Sequence, residues 1–213
     1  MSTAAASLTA TLMKFDPATL YEAAGRVGMV DPTIRPAWAG ARIAGPAMTV
    51  ECPPGDNLML HQAVAHSTPG VILVATLGSY MLTGAWGEIL TAAAQARGIA
   101  GLAVDGAVRD IDAIAETGFP VFSRGLAIGA CTKERWGTLN QPIRFGGQIV
   151  KSGDAIVGTS DGIVIIEASR IEEVCEAAAK RQEREAEIIE ALRNGKTTIE
   201  LLGLPTMNGA GKK

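Results

Sequence analysis

The residues of this chain best placed to do chemistry are Glu88, Arg109 and Asp110, an acid followed after twenty intervening positions by an adjacent guanidinium and carboxylate. Residues 101–105, GLAVD, are mostly apolar and run into Gly106. That pattern predicts a strand delivering Arg109 and Asp110 to the mouth of a β-to-α connection, where α/β folds bind ligands. The planar fork of Arg109 matches a carboxylate. Upstream, Gly84 and Gly87 permit close approach to the backbone. Glu88, Ile89 and Leu90 then open an alanine-rich helix whose free amides and positive dipole end can receive a carboxylate. A plainer reading competes: Arg109 and Asp110 as a turn ion pair with Asp110 capping the next helix, and Glu88 as an ordinary first-turn acid.

The elements that must position these groups follow from periodicity and punctuation. Asp16-Pro17 starts a helix with the stripe Leu20, Ala23, Ala24 and Val27, ended by Gly28. Residues 43–50 read as a strand interrupted at Gly45-Pro46, CPPGDN as a turn, and residues 58–65 as a helix, with Gly70 stopping the segment. Residues 71–75 read as a buried strand, 76–85 as a glycine-containing loop, and 87–96 as a helix closed by Gly98. This is βαβ order with right-handed crossovers, and taken alone it suggests a doubly wound sheet. Beyond Pro120, turns at Gly146-Gly147, Ser152-Gly153-Asp154 and Ser160-Asp161-Gly162 predict hairpins or a mixed sheet. Ser169 and Glu172 have capping-box spacing, opening a helix over about residues 170–194. Its length is roughly 37 Å. The charged run RQEREAE breaks its apolar stripe, so its middle either lies solvated or reaches a neighbouring subunit. The end of the chain, about residues 204–213, is expected to be flexible.

With 213 residues and 47% hydrophobic content, the chain fits one domain with a substantial core. A formal charge of -3 lacks the basic excess that nucleic-acid binding requires, so no nucleic-acid partner is expected. Cys52, Cys131 and Cys175 are odd in number and far apart, which suits reduced thiols. No early basic residues precede a hydrophobic segment, and no apolar run approaches the ~18 residues of a membrane span. A soluble, cytoplasmic protein is expected. Gly195-Lys196-Thr197 is not a phosphate loop: Glu190 stands where its first glycine belongs, and the triplet follows a helix instead of opening one.

The runs GLAVDGAVRD and GFPVFSRG, together with ARIAGPAMTVECPPGDN, GEILTAAAQARG and GDAIVGTSDGIVII, resemble the RraA-like superfamily. Within it the chain is most similar to the 4-hydroxy-4-methyl-2-oxoglutarate / 4-carboxy-4-hydroxy-2-oxoadipate aldolases, the class II pyruvate aldolases, and the likeness covers most of the sequence. It implies a three-layer α/β/β swivelling domain and a lyase that forms pyruvate. It also implies a trimer or hexamer whose sites lie between subunits, with an acid from the neighbour's C-terminal region. Glu183 or Glu185 could fill that role. Better-known aldolases of this branch carry Asp where this chain has Glu88, a departure that bears on proton transfer and not on reaction class. The superfamily also contains regulators that inhibit ribonuclease E by protein binding and lack the Asp of the Arg-Asp pair. The presence of Asp110 favours the enzyme.

The implied chemistry leaves charge on a pyruvate enolate, which either a lysine Schiff base or a metal Lewis acid can accommodate. Lys133 is the one lysine between residues 15 and 150, and it sits in a polar CTKER stretch, so Mg²⁺ or Mn²⁺ fits better. Asp110 is the candidate metal ligand. Arg109 would pair with substrate and its developing oxyanion, Glu88 would hold a proton-shuttling water, and Gly87 with the amides of Glu88, Ile89 and Leu90 would seat a carboxylate. Oxaloacetate decarboxylation should occur at the same site, because it passes through the same enolate. Asp105 is either a turn former or a group orienting Arg109. Asp56 and Asn57 read as turn residues with a supporting role, and His61 and His66 as structural or exposed. Asp154 and Asp161 read as hairpin residues. Lys133, Glu134 and Arg135 read as a solvated loop. Tyr80, Trp86, Arg124 and Trp136 are candidate pocket walls.

Overall fold

Short β-branched runs alternate with alanine-rich amphipathic segments through the first two-thirds of the chain, and the elements follow that alternation. The computed structural model describes residues 3–206. In order these are α1 (Thr3–Leu12), α2 (Pro17–Ala23), β1 (Arg35–Pro36), β2 (Ile43–Glu51), α3 (Leu58–His66), β3 (Ile72–Gly84), α4 (Glu88–Ala96), β4 (Gly101–Val108), α5 (Ile111–Thr117) and β5 (Val121–Leu126). There follow β6 (Thr138–Leu139), β7 (Ile143–Phe145), β8 (Gln148–Val150), β9 (Ala155–Thr159), β10 (Gly162–Ile166), α6 (Ile171–Arg193) and α7 (Thr198–Leu202).

Strands β2, β3, β4 and β5 are parallel neighbours, and the sheet order is β1-β5-β4-β3-β2-β9-β10, with β6 paired antiparallel to the end of β2. Strand β2 serves two partners. Residues 43–46 pair antiparallel with β9, whereas residues 47–51 pair parallel with β3. The sheet folds over at that changeover, so Gly45-Pro46 redirects the strand without interrupting it.

Three apolar clusters define the layers. The first packs Leu60 and Val64 of α3, Leu90 and Ala94 of α4 and Ile114 of α5 against one face of β2–β5. The second places Ile72, Val74, Ala103 and Phe122, on the other face of those strands, against Phe145, Ile156, Ile163 and Ile165 of the later strands. The third covers the outer face of β9 and β10 with Leu12, Leu20, Val174 and Ala178 from the terminal helices. Each fully buried Leu or Ile in these clusters contributes about 1.5–3 kcal/mol. The α/β/β order is thus present, with α1, α2 and α6 as a further cover. A doubly wound sheet is not: the second face of the parallel strands carries strands instead of helices.

Other expectations need correction. Residues 76–84 are not a loop but a bulged continuation of β3, with the register advancing from Thr76↔Asp105 to Tyr80↔Gly106 and Gly84↔Ala107. The excess residues turn out through positive φ at Gly78 and Ser79, which destroys the alternation that marks a strand. Turns 146–147 and 160–161 do close hairpins, whereas 152–154 joins β8 to β9, which do not pair. Asp154 is buried and accepts from Lys151 N at 2.8 Å and Ala168 N at 3.0 Å. Ser169 makes no cap because residues 168–170 already turn in a 3₁₀ helix, and α6 begins after Arg170 without a side-chain cap. The capping box is instead Thr197–Glu200, opening α7. Asp16 precedes Pro17 as expected, but its carboxylate pairs with Arg42 at 3.3 Å and accepts no capping hydrogen bond. Of the end segment expected to be flexible, residues 207–213 lie outside the described residues.

Candidate active site

Where β3 ends, residues 84–87 run alongside the end of β4: Ala85 N donates to Ala107 O at 2.8 Å and Arg109 N to Trp86 O at 2.9 Å. Trp86 anchors this segment. It is fully buried, stacks on Phe119 with centroids 6.0 Å apart, and its Nε1 donates to Thr91 Oγ1 at 2.7 Å, so it is core and not a pocket wall. From the other side Asn57 Nδ2 donates to Ala85 O at 2.8 Å. The opening of α4 is thereby fixed opposite Arg109 and Asp110.

Asp110 occupies the left-handed region at φ 56°, ψ 37°, which Asp and Asn tolerate best among non-glycine residues. Its carboxylate does not cap α5. Instead Oδ2 accepts from Glu88 N, across the site, at 3.1 Å. Arg109 Nε lies 3.7 Å from the same oxygen, a loose approach for side chains 39% and 43% exposed. The helix-cap alternative therefore fails at Asp110, and what remains is a guanidinium and a carboxylate converging on the opening of another helix. There, among the described residues, the amides of Ile89 and Leu90 have no acceptor.

Two compartments meet at Arg109 and Asp110. An inner one of about 90 Å³ is bounded by Asn57, His61, Gly87, Leu90 and Lys133. An outer cleft of about 580 Å³ is bounded by Glu88, Ile111, Asp112, Leu126 and Ile128. The glycines are required by proximity. A Cβ on Gly84 would lie 2.8 Å from Arg109 Cβ, and one on Gly87 would lie 2.3 Å from Asp110 Oδ2. Gly87 has ordinary extended backbone, so Gly87→Ala acts by crowding the Asp110 carboxylate and the Arg109 stem and not by backbone strain. Any activity of this site is expected to fall by about 10²-fold on that substitution with the fold retained, as read by steady-state rates alongside circular dichroism.

Asn57 and His61, one helical turn apart, have only the sequence context of a turn residue and a structural helix residue, yet both border the inner compartment. Asn57 Oδ1 and His61 Nε2 are buried and have no hydrogen-bond partner among the described residues. Burial, and then the charge of Lys133, hold the His61 imidazole below its usual range, so it is neutral at pH 7. His66 is exposed, with Nδ1 2.9 Å from Gln62 O.

Lys133 owes its place to Asp56. Fully buried, Asp56 accepts from Leu58 N at 2.9 Å, Thr132 Oγ1 at 2.6 Å, Glu134 N at 2.8 Å and Arg135 N at 3.2 Å. Burial pushes its carboxyl up, but these donors outweigh burial and hold it well below the usual range. A depressed carboxyl contributes stability that is present above the unfolded value near 3.9 and lost as pH falls through the folded one. Asp56→Ala is expected to cost about 2–3 kcal/mol at pH 7, a fall of roughly 5–10 °C in thermal midpoint. It should also flatten the loss of midpoint below pH 4. Melting curves from pH 7 to pH 2 check both.

Several candidates lie elsewhere. Asp105 does not touch Arg109; it holds Arg124 and accepts from Ser79 Oγ at 2.9 Å and Gly146 N at 3.2 Å. Arg124 also pairs with Asp31 at 2.9 Å and Thr33, an ion network tying β5 to residues 31–33. The Asp31 carboxyl is lowered to about 2 by its Thr33 and Arg124 hydrogen bonds. Arg124 and Trp136 border a separate crevice of about 780 Å³, and Tyr80 packs over Gly55. Glu183 and Glu185 lie on α6, in the layer on the far side of β9 and β10. Glu185 pairs with Arg181 Nε at 2.9 Å, and Arg181 also pairs with Glu22. Among the described residues no group of three His, Cys, Asp or Glu side chains could hold a metal.

The family model described as Aldolase/RraA matches residues 15–165. The chain belongs to the RraA-like family. A relative from Halalkalibacterium halodurans is 38% identical over 150 residues, covering 70% of this chain and 71% of that one. It is named a 4-hydroxy-4-methyl-2-oxoglutarate aldolase, an activity which that name itself marks as unproven. An uncharacterized protein from Pseudomonas syringae pv. tomato superposes with a TM-score of 0.81 at 28% identity, covering 91% of this chain and 95% of that one. Streptomyces coelicolor RraAS2, described as an unusual member of the RNase ES inhibitor RraA family, superposes at 0.76 with 24% identity over 84% and 94%, a likeness of fold. In this RraA-like chain all three cysteines are free, and no described helix is long and apolar enough to cross a membrane.

Proposed function

We propose that this RraA-like protein is a divalent-metal-dependent class II aldolase. It cleaves 4-hydroxy-4-methyl-2-oxoglutarate or 4-carboxy-4-hydroxy-2-oxoadipate to pyruvate and a second oxo acid, and it decarboxylates oxaloacetate at the same site. The observation that carries the reading is the convergence of Arg109, Asp110 and the free amides of α4 on two compartments of unequal size. The small one suits the pyruvyl half and the large one the half that leaves. The name of the Halalkalibacterium relative points to the same reaction.

In this reading the amides of Ile89 and Leu90 hold the carboxylate at the 2-oxo end, with Gly87 giving access. Arg109 hydrogen-bonds the 2-oxo group, whose oxygen gains charge as the bond to C4 breaks. Glu88, bordering the outer cleft, holds the water that returns a proton to C3 of the enolate. Asp110 has the donor chemistry for Mg²⁺ or Mn²⁺: one hard carboxylate, with Oδ1 free of hydrogen bonds among the described residues and room in the cleft for the waters such ions retain. The ion, when bound, supplies Lewis acidity toward the substrate oxygens.

Ile89, Leu126 and Ile128, between 57% and 95% exposed, border this site. We assign this apolar rim to a neighbouring subunit of a trimer or hexamer, whose α6 brings Glu183 or Glu185 to the cleft. Light scattering on the purified protein tests the assembly. The cytoplasm, a reducing compartment, suits the three free thiols.

The deciding experiment measures pyruvate release from both hydroxy-oxo acids and from oxaloacetate, with Mg²⁺ or Mn²⁺ and with EDTA. Turnover abolished by EDTA supports the lyase. No turnover on any of the three, with stable capture of a ribonuclease, would move the assignment to a non-catalytic RraA-type regulator that uses the same apolar rim for protein binding.

A further inference from the structure

The crevice of about 780 Å³ shares none of its lining with the two compartments at Arg109 and has no part in the proposed reaction. Strand alternation dictates its floor. On the face that packs against the later strands, β2–β5 carry apolar Ala47, Val74, Ala103 and Phe122; nearer their carboxyl ends the same face carries Glu51, Thr76, Asp105 and Arg124. Register sets these side by side, with Glu51 opposite Thr76, Thr76 opposite Asp105, and Arg124 bonded to Asp105. The carboxyl ends of parallel strands are where such sheets bind ligands. Asp105 and Arg124 satisfy each other and so make a fixed, neutral floor. Two charges remain. Among the described residues Glu51 has no cation, its carboxylate accepting from Thr138 Oγ1 at 3.1 Å, and the guanidinium of Arg144 has no acceptor. Trp136, 69% exposed, stands two residues before Thr138, the strand partner of Glu51, and Pro53 and Pro54 add hydrocarbon to the same lining. This wall is preformed: Asp56 accepts from Glu134 N and Arg135 N, and Arg135 Nη2 donates to Pro54 O.

A ligand with a single negative charge would gain Arg144 and meet like charge at Glu51; a single positive charge would meet the reverse. A neutral ligand would use neither. A zwitterion satisfies both, and the tryptophan ring and prolines offer an apolar surface to whatever else it carries. We propose that this crevice is a second ligand site, for a free α-amino acid with an apolar side chain. Its ammonium pairs with Glu51, its carboxylate with Arg144, and its side chain lies against Trp136, Pro53 and Pro54. The volume is in the range of small-molecule sites. No bond is made or broken there, so the inference stands or falls independently of the lyase reading.

Calorimetry and tryptophan fluorescence test this with L-phenylalanine, its decarboxylated amine phenethylamine and its deaminated acid 3-phenylpropionate, which share one ring. L-Phenylalanine is expected to bind saturably with a Kd at or below about 1 mM, with an emission change that Trp136→Phe removes. Each single-charge analogue should bind about tenfold more weakly, and so should L-phenylalanine to Glu51→Gln or Arg144→Ala. Both side chains are exposed, so neither substitution disturbs the core. Arg109→Ala should leave the affinity unchanged, because it alters the other site. No binding of L-phenylalanine at about 10 mM, equal binding of either analogue, or loss of binding in Arg109→Ala would each overturn the inference. So would acrylamide quenching no greater in the wild type than in Trp136→Phe, which would mean that a neighbouring subunit already covers the crevice.

Discussion

Replacing Asp110 with asparagine is expected to lower metal-dependent pyruvate release by about 10³-fold while moving the thermal midpoint by no more than about 2 °C. Asparagine tolerates the left-handed backbone at φ 56° and keeps an oxygen to accept from Glu88 N, so geometry survives and charge does not. A neutral amide is a poor ligand for a hard cation that binds few protein groups. Asp110→Ala should match that loss of activity and add about 1 kcal/mol of instability, because alanine pays the left-handed penalty that asparagine largely avoids. Initial rates across a Mg²⁺ titration, paired with melting curves, separate the two effects. If Asp110→Asn kept the wild-type rate and metal response, Asp110 would be a structural bridge between α4 and α5 and the metal would lie elsewhere.

The parts of this molecule legible in its sequence are those where local pattern and long-range packing agree. The apolar run before Asp105 is β4, the alanine-rich stretch after Gly87 is α4, and Gly146-Gly147 turns a hairpin, each as periodicity and punctuation require. What escaped depends on partners distant in sequence. The bulge after Thr76 looks like a loop because its register is imposed by β4, some thirty residues on. Ser169 has the spacing of a cap, but a 3₁₀ turn leaves it no extended backbone from which to cap. Within the site, Arg109, Asp110 and Glu88 stood out because charge beside a strand end lacks a folding reason. Asn57 and His61 did not, since an Asn in a turn and a lone His on a helix are common, and only the approach of residues 84–87 makes them neighbours of Arg109. Asp105 is neither the turn former nor the group orienting Arg109 that its place before Gly106 suggests: β4 continues through it to Val108, and Arg124, on the adjacent strand β5, claims its carboxylate.

Arg109→Lys is the sharper test of mechanism, because it keeps the charge and removes the fork. The loss of kcat/KM is expected to be about 10²–10³-fold, the size seen when one donor to a developing oxyanion is removed. The stem of Arg109 threads between Gly84 and Gly87, which leaves its Cβ and Cγ little freedom. A lysine ammonium following the same path would present one rotating point charge where the guanidinium presents two fixed donors. How the loss divides is the informative part. If Arg109 serves the oxygen that gains charge as the C3–C4 bond breaks, kcat falls and KM changes little. If it serves only as a clamp for a ground-state carboxylate, KM rises and kcat persists. Added guanidinium should restore part of the rate to Arg109→Ala and none to Asp110→Ala, since only the first leaves a guanidinium-shaped space. Full activity in Arg109→Lys would show that charge alone suffices and that the planar fork plays no part.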